Sequence, residues 1–319
     1  MSKQTKEIVG YLVFSRVKIQ DANAISSPIT YGFPAVSGFL GAFHAMSRQL
    51  QQHKTLGHLS LDGVLIACHR CEVKAYRQSA YGDYTFNQTR NPIKKDGSTA
   101  SIIEEGKCGL TVTLAVEVKA DDIWDVEEQH TSDLAEFSKI RLQQQRLAGG
   151  SVMGVAAVHY LKAEDIGDIK RYLLPASVLM NAQQELKSIT RTLQQKNETA
   201  TALDALIEAV MLHHIPQQNK QGGTDWYAQS EKHGRGWLVP MPIGYQGISA
   251  CFDPGVMRHS RNPEYVGRYV EAIYSLGKWV FPYRIDDLQH AFWHYRYDAA
   301  KSLYLTVQPN QSITGEDDE

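Results

Sequence analysis

Leu110-Thr111-Val112-Thr113-Leu114-Ala115-Val116-Glu117-Val118 is the stretch on which the fold turns. Leu110, Val112, Leu114, Val116 and Val118 alternate with Thr111, Thr113 and Glu117, and a period of two places the apolar set on one face of a pleated strand. The stretch therefore predicts a half-buried β-strand. Working outward, Val64-Leu65-Ile66-Ala67-Cys68 is a second strand candidate within Leu59 to Tyr76, and Glu7 to Val17 is a third through Ile8, Tyr11, Leu12, Val13 and Phe14. Val36, Phe39, Leu40, Phe43, Met46 and Leu50 follow i, i+3, i+4, i+7 spacing and predict a helix with Pro34 placed to open it.

Downstream, a charged helix is expected over roughly Asp121 to Leu147, ending at Gly149-Gly150 as a glycine C-cap, followed by a strand over Ser151 to Tyr160. The order β-α-β-β-α-β is that of a ferredoxin-like α+β fold. Between the second and third strands of that order lies a polar excursion, about residues 78–106. It is far too long for a tight hairpin, and its Asn-Pro and Asp-Gly pairs favour an ordered projection. Beyond Leu161 the pattern is mixed. Helices are expected around Thr201 to His213 and Glu264 to Lys278, strands at Gly236 to Pro240 and Leu303 to Val307, and a flexible loop at Gln217 to Thr224. The division expected is a core over residues 1–161 and a mixed region over 162–319 with an acidic tail.

At 319 residues and 43% hydrophobic content, the chain can bury a core without covalent staples. Four cysteines are too few for a disulfide scaffold, and no apolar run suits a signal peptide or a membrane span of about 20 residues. A cytoplasmic protein that does not engage membrane is expected. The formal net charge of −2 conceals an asymmetry: residues 1–119 carry 14 Lys and Arg against 9 Asp and Glu, and the remainder 19 against 26. Four of those acids lie in Gly315-Glu316-Asp317-Asp318-Glu319, a tail expected to be disordered. The balance allows a local nucleic-acid surface and excludes a uniformly basic one.

Standard catalytic signatures are missing. There is no GxxxxGK(S/T) loop, GxGxxG turn or GxSxG elbow to present backbone amides or a nucleophile. Cys68-His69-Arg70-Cys71 has no second CxxC, and on a strand its two sulfurs point to opposite faces, so structural thiols are expected rather than zinc. His290 and His294 stand one helical turn apart, but without an HExxH glutamate and among Phe292, Trp293 and Tyr295 they read as packing. Neither a metal nor another cofactor is expected. One enzymatic reading survives: a metal-independent ribonuclease with His44 as general base, against a partly buried, hydrogen-bonded histidine on the flank of the helix stripe.

Three blocks bear on RNA. Asn23-Ala24-Ile25-Ser26-Ser27-Pro28-Ile29-Thr30-Tyr31-Gly32-Phe33-Pro34 mixes hydrogen-bonding side chains with aromatics, as single-strand recognition requires. Phe86 to Pro92, running through Asp96-Gly97-Ser98-Thr99 to Gly106, puts Arg90, Lys94 and Lys95 on the excursion, where they can neutralise phosphates. Arg146-Leu147-Ala148-Gly149-Gly150-Ser151 leaves backbone amides accessible before a strand.

Together the blocks closely resemble the Csy-two family, the Cas-five-type subunit of type I-F CRISPR surveillance (Cascade, or Csy) complexes. Gly236-Trp237-Leu238-Val239-Pro240-Met241-Pro242-Ile243-Gly244-Tyr245 is similar to that family's C-terminal signature, and the resemblance is weakest over Glu164 to Tyr227. It implies an RRM-like (RAMP) core with a thumb, here about residues 78–106, folded over the 5′ handle of the CRISPR RNA (crRNA). It further implies pairing with the Cas-eight-type large subunit, a contact with the Cas-seven-type backbone subunit, and double-stranded target DNA bound through the complex. The processing nuclease is a separate subunit. On these blocks Asn23, Ser26, Ser27 and Tyr31 are expected at the handle, Arg90, Asn91, Lys94 and Lys95 on the thumb, and Arg146, Gly149, Gly150 and Ser151 against the RNA backbone. The alternatives are a CRISPR-repeat endoribonuclease of the same superfamily and a DNA-facing structural subunit with little RNA contact. Trp237, Trp279 and Trp293 are candidates for a partner interface.

Overall fold

The alternating stretch lies inside one long strand, Lys107–Ala120, around which the first half of the chain is arranged. The computed structural model describes residues 6–121, 128–220 and 222–309 and is α+β, with mostly antiparallel strands and five α-helices among the described residues. The expected tail and the first residues of the expected charged helix lie outside the described residues. Two compact units are present, one of Met1–Val178 with Phe281–His294, the other of Leu179–Val280 with Tyr295–Glu319.

In the first unit the elements run β1 (Glu7–Asn23), β2 (Ile25–Ser27), β3 (Thr30–Tyr31), α1 (Val36–Leu50), β4 (Ser60–Val73), β5 (Ala75–Arg77), β6 (Tyr84–Arg90), β7 (Ile102–Glu105), β8 (Lys107–Ala120), α2 (Glu128–Gln144), β9 (Arg146–Leu147), β10 (Gly150–Gly154), β11 (Ala157–Lys162) and α3 (Ile169–Leu173). β12 (Ser177–Asn181) begins here, with Ser177 opposite Cys68 and Val178 opposite Ala67. β4 pairs with β8, β8 with β1, and β1 with both β10 and β11, every pair antiparallel.

The apolar stripe of α1 is buried as its spacing requires, and Phe43 meets Phe14 of β1 with ring centroids 5.3 Å apart. Ala35 caps this helix, so Pro34 stands just before the cap rather than at the first helical position. α2 ends at Gln144, well before the glycines; Leu134, Ser138 and Leu142, four residues apart, are its buried line. The predicted strand over Ser151 to Tyr160 is two strands, broken at Val155-Ala156, both on the same edge of β1.

The other face of the sheet is where expectation and structure part. Glu117 and Thr113 were expected to face solvent, yet Glu117 is 4% exposed and Thr113 fully buried. Over Glu117 the cover is Phe281–His294: Phe292 lies against Tyr11 at 5.3 Å, and Trp293 and Val64 exchange backbone hydrogen bonds of 2.9 and 3.0 Å. His290 and His294 share no helix, because a short 3₁₀ turn at Leu288–Ala291 gives way to extended chain. His294 Nε2 instead meets Glu117 Oε2 at 2.9 Å, beside Lys119 and Asp62. Gly63 is needed here, since a Cβ would collide with the His294 ring and come within 2.8 Å of the Glu117 carboxylate. Burial opposes protonation of His294, but the hydrogen bond to Glu117, the Glu117 charge and the Asp62 charge outweigh it and hold the imidazole pKa above its ordinary value.

The second unit contains α4 (Gln183–Gln194), α5 (Ala202–Glu208), β13 (His213–Gln218), β14 (Thr224–Gln229), β15 (Trp237–Gly247), β16 (Val270–Val280), β17 (His294–Asp298, of which Tyr295 onward belongs here) and β18 (Leu303–Val307). Leu186 and Ile189 of α4 and Ala205 and Leu206 of α5 pack on Leu238 and Leu276. The helix expected at Glu264 to Lys278 is a strand along most of its length. β16 pairs antiparallel with β15 from Val270 opposite Gly247 to Trp279 opposite Trp237, and that ladder overrides an ambiguous local pattern. α5 stops at Glu208 although a helix to His213 was expected; His213 already pairs with Gln229. The Gln217 to Thr224 segment contains the turn of the β13–β14 hairpin.

Candidate nucleic-acid interface

β1 and β8 leave the buried region toward Asn23 and Lys107, which are opposite one another in the ladder. There the Asn23 backbone N–H donates to Ala148 O at 2.9 Å, and its side-chain Oδ1 accepts from Lys107 Nζ at 3.2 Å. The Ala148-Gly149 pair, with φ of 50° and 81°, joins β9 to β10 as a two-residue hairpin turn. Gly149 is thus not a helix cap: positive φ at both central residues is what a tight hairpin demands. A side chain at Gly149 would also strike Asn23, so the first and third sequence blocks are packed into one another. Arg146 donates from Nε to Gly149 O at 2.9 Å and from Nη2 to the same oxygen, and remains exposed, as does Ser151. Gly150 is buried against β1.

Ser26 and Ser27 lie in the β2–β3 hairpin, both hydroxyls directed at buried Thr30 Oγ1, at 2.7 and 2.6 Å. Their first role is to build this turn. Tyr31 is exposed and meets Phe86 edge-on at 5.6 Å, which links the hairpin to the segment between β4 and β8. That segment is a separate three-stranded sheet, β5-β6-β7, so the long excursion is ordered. Arg90 ends β6, four residues or about 13 Å beyond Phe86. Arg90, Asn91, Lys94 and Lys95 are all exposed, the last two in a turn closed by Gly97 N–H to Lys94 O at 3.0 Å.

The structure therefore brings Asn23, Arg146, Gly149, Gly150 and Ser151 together, joins Ser26, Ser27 and Tyr31 to the base of the projection, and holds Arg90, Asn91, Lys94 and Lys95 farther out. Residues not singled out from sequence complete the surface. Lys74 pairs with Asp21, whose carboxyl its hydrogen bond holds below the usual range, and Arg77 lies 5.0 Å over the Tyr84 ring. Tyr76, Tyr81 and Tyr84 are exposed, three aromatics within nine residues that composition alone could have flagged. Lys107 was also legible, three residues before the alternating stretch. The surface is not uniformly basic, with Glu72, Glu104 and Glu105 among the cations.

The other candidate chemistries fall elsewhere. Cys68 and Cys71 lie on β4 as expected; burial pushes the Cys68 thiol up to about 12, while a hydrogen bond from Cys108 on β8 lowers Cys71. His44 is exposed on α1, not partly buried as expected. Among the described residues one group, Asp62, Glu117 and His294, has the donor types of a metal site, but Lys119 Nζ sits against both carboxylates. A cation is thus already supplied by the chain. Trp237 is exposed, Trp279 half-buried and Trp293 fully buried, which removes Trp293 from any partner interface. No helix among the described residues is long and apolar enough to cross a membrane.

A family model described as CRISPR-associated protein (Cas_Csy2) matches residues 12–306. The protein "CRISPR-associated protein Csy2" of Pseudomonas aeruginosa (strain UCBPP-PA14) is 32% identical over 316 residues, covering 93% of this chain and 95% of that protein.

Proposed function

The chain belongs to the Csy2 family of CRISPR-associated proteins, and from that premise we propose that it is a non-catalytic subunit of a type I-F surveillance complex that holds the 5′ handle of the crRNA. The observation that carries this reading is the convergence of three separate sequence blocks. Asn23, the Ser26–Tyr31 hairpin and the Arg146–Ser151 turn gather at one end of the sheet, with the projection that carries Arg90, Lys94 and Lys95 beside them. The antiparallel strand order β4-β8-β1-β11, with α1 and α2 in the connections, supports reading the first unit as an RRM-like (RAMP) core and the 74–106 projection as its thumb. Cations on the thumb neutralise phosphates, which position RNA without reading its sequence.

In this reading the Cas-eight-type large subunit and the Cas-seven-type backbone subunit complete the assembly. Base pairing by the guide then supplies target-DNA specificity. His44 is exposed on α1 and, among the described residues, is hydrogen-bonded to no acid–base partner, which supports a binding role over repeat cleavage. Co-expression with a crRNA, followed by identification of co-purifying proteins and protected nucleotides, tests the proposal. Handle nucleotides should be protected together with a large subunit. Protection confined to the spacer, or specific metal-free cleavage of repeat RNA lost in His44→Ala, would overturn it.

A further inference from the structure

Between the β2–β3 hairpin and the projection lies a concavity of about 450 Å³ lined by Tyr31, Val73, Ala75, Tyr84, Phe86 and Glu104. The volume lies within the range of small-ligand sites, roughly 300–1,000 Å³. Its aromatic rings are anchored: Tyr31 packs edge-on against Phe86, and Tyr84 carries the Arg77 guanidinium, itself held by Gly82 O at 2.8 Å. Tyr31 and Tyr84 remain largely exposed, which leaves Tyr31 and the Tyr84 face away from Arg77 open to stacking.

Glu104 is the one charged residue in the lining. Its Oε2 accepts the Phe86 backbone N–H at 3.1 Å, which fixes the carboxylate, and among the described residues its other oxygen has no partner. A fixed carboxylate repels phosphate and accepts N–H donors. Aromatic walls beside such an acceptor suit a base rather than the sugar-phosphate chain, for which Arg77 is the adjacent cation.

We propose that this concavity captures one unstacked RNA base bearing an exocyclic amino group, stacked on Tyr31 and Tyr84, with the amine donated to Glu104. Cytosine, adenine and guanine each present such an amine on their pairing edge, guanine with an N1–H donor beside it. Uracil presents one N–H flanked by two carbonyl oxygens, which the carboxylate repels. The inference rests on the RNA-binding reading above and extends it, because phosphate contacts on the thumb carry no such preference.

The test uses the full chain and two fluorescein-labelled single-stranded RNA octamers, all-C and all-U, with affinity read by anisotropy at fixed salt. Wild type should bind the C octamer about tenfold more tightly. Glu104→Gln, which keeps an acceptor for the Phe86 N–H, should reduce that preference to under about threefold. Tyr31→Ala with Tyr84→Ala should weaken both octamers about tenfold or more while thermal unfolding is unchanged. Equal binding of both octamers by wild type, or a preference that survives Glu104→Gln, overturns the pocket. If binding then still depends on Arg90, Lys94 and Lys95, the RNA-binding reading stands without it. If wild type binds neither octamer, both readings fall.

Discussion

At one end of β1 and β8 both faces of the sheet are buried, α1 lying on one and Phe281–His294 on the other; at the opposite end, around Lys18, Gln20, Asn23 and Lys107, side chains and connecting loops stay open. The strands are the same, so the difference lies in what covers them. Polar groups at the closed end are held by one another, as in the Asp62–Lys119–Glu117–His294 network, and substitutions there should act on stability. At the open end they close turns or stay solvated. Substitutions there should act on binding, which loops and edges can support without disturbing a core.

The sharpest way to break this contrast is Trp293→Ala. Its side chain is fully buried, and removal should cost about 3–5 kcal/mol in denaturant unfolding. A loss below about 1 kcal/mol, within the range of surface substitutions, would mean that the segment is not part of the core. Next, Gly63→Ala should destabilise by about 1–3 kcal/mol, because the new methyl displaces His294 from Glu117. A neutral result would show that the network tolerates separation.

At the open end, alanine replacement of Arg90, Lys94 and Lys95 together should weaken RNA binding about tenfold or more and lower the salt slope by about 2, similarly for guides with different spacers. Unfolding should shift by less than about 0.5 kcal/mol. A stability loss comparable to that of Trp293→Ala would erase the contrast between the two ends.

A smaller effect follows from pH. Because the folded-state pKa of His294 is raised, its stabilising contribution is fully present below the ordinary value of about 6.5 and is lost as pH rises through the folded value. Wild-type stability should therefore fall, relative to His294→Gln, between those two points. Parallel pH profiles for the two proteins would sink this assignment. Smallest of all, His44→Ala should change unfolding by no more than about 0.5 kcal/mol, since the residue is exposed on α1.

The candidate blocks could be delimited in the sequence because each is contiguous: the Asn23–Pro34 loop and the long excursion stand where turn chemistry and loop length put them, whereas Arg146–Ser151, read as a helix end, forms a hairpin turn. What could not be read was their mutual packing, such as Gly149 against Asn23 or Tyr31 against Phe86, and the concavity at Glu104 that follows from it. The glycine pair after α2 shows why. Gly149-Gly150 suits a helix end, but the pairing of Leu147 with Gly150 puts Ala148-Gly149 in a hairpin turn and Gly150 in a strand.

By itself the sequence determined β1, α1, β4 and β8, and the bounds of β18, because local periodicity states which face of an element is apolar. Only the tertiary structure decided that Glu117 and Thr113 are buried, that Val270–Val280 is a strand, and that Phe281–His294 returns to the first unit. The physical reason is range. A side-chain period reports an element's own preference, whereas the burial of Glu117 depends on His294, 177 residues away in the chain, where no local pattern can register it.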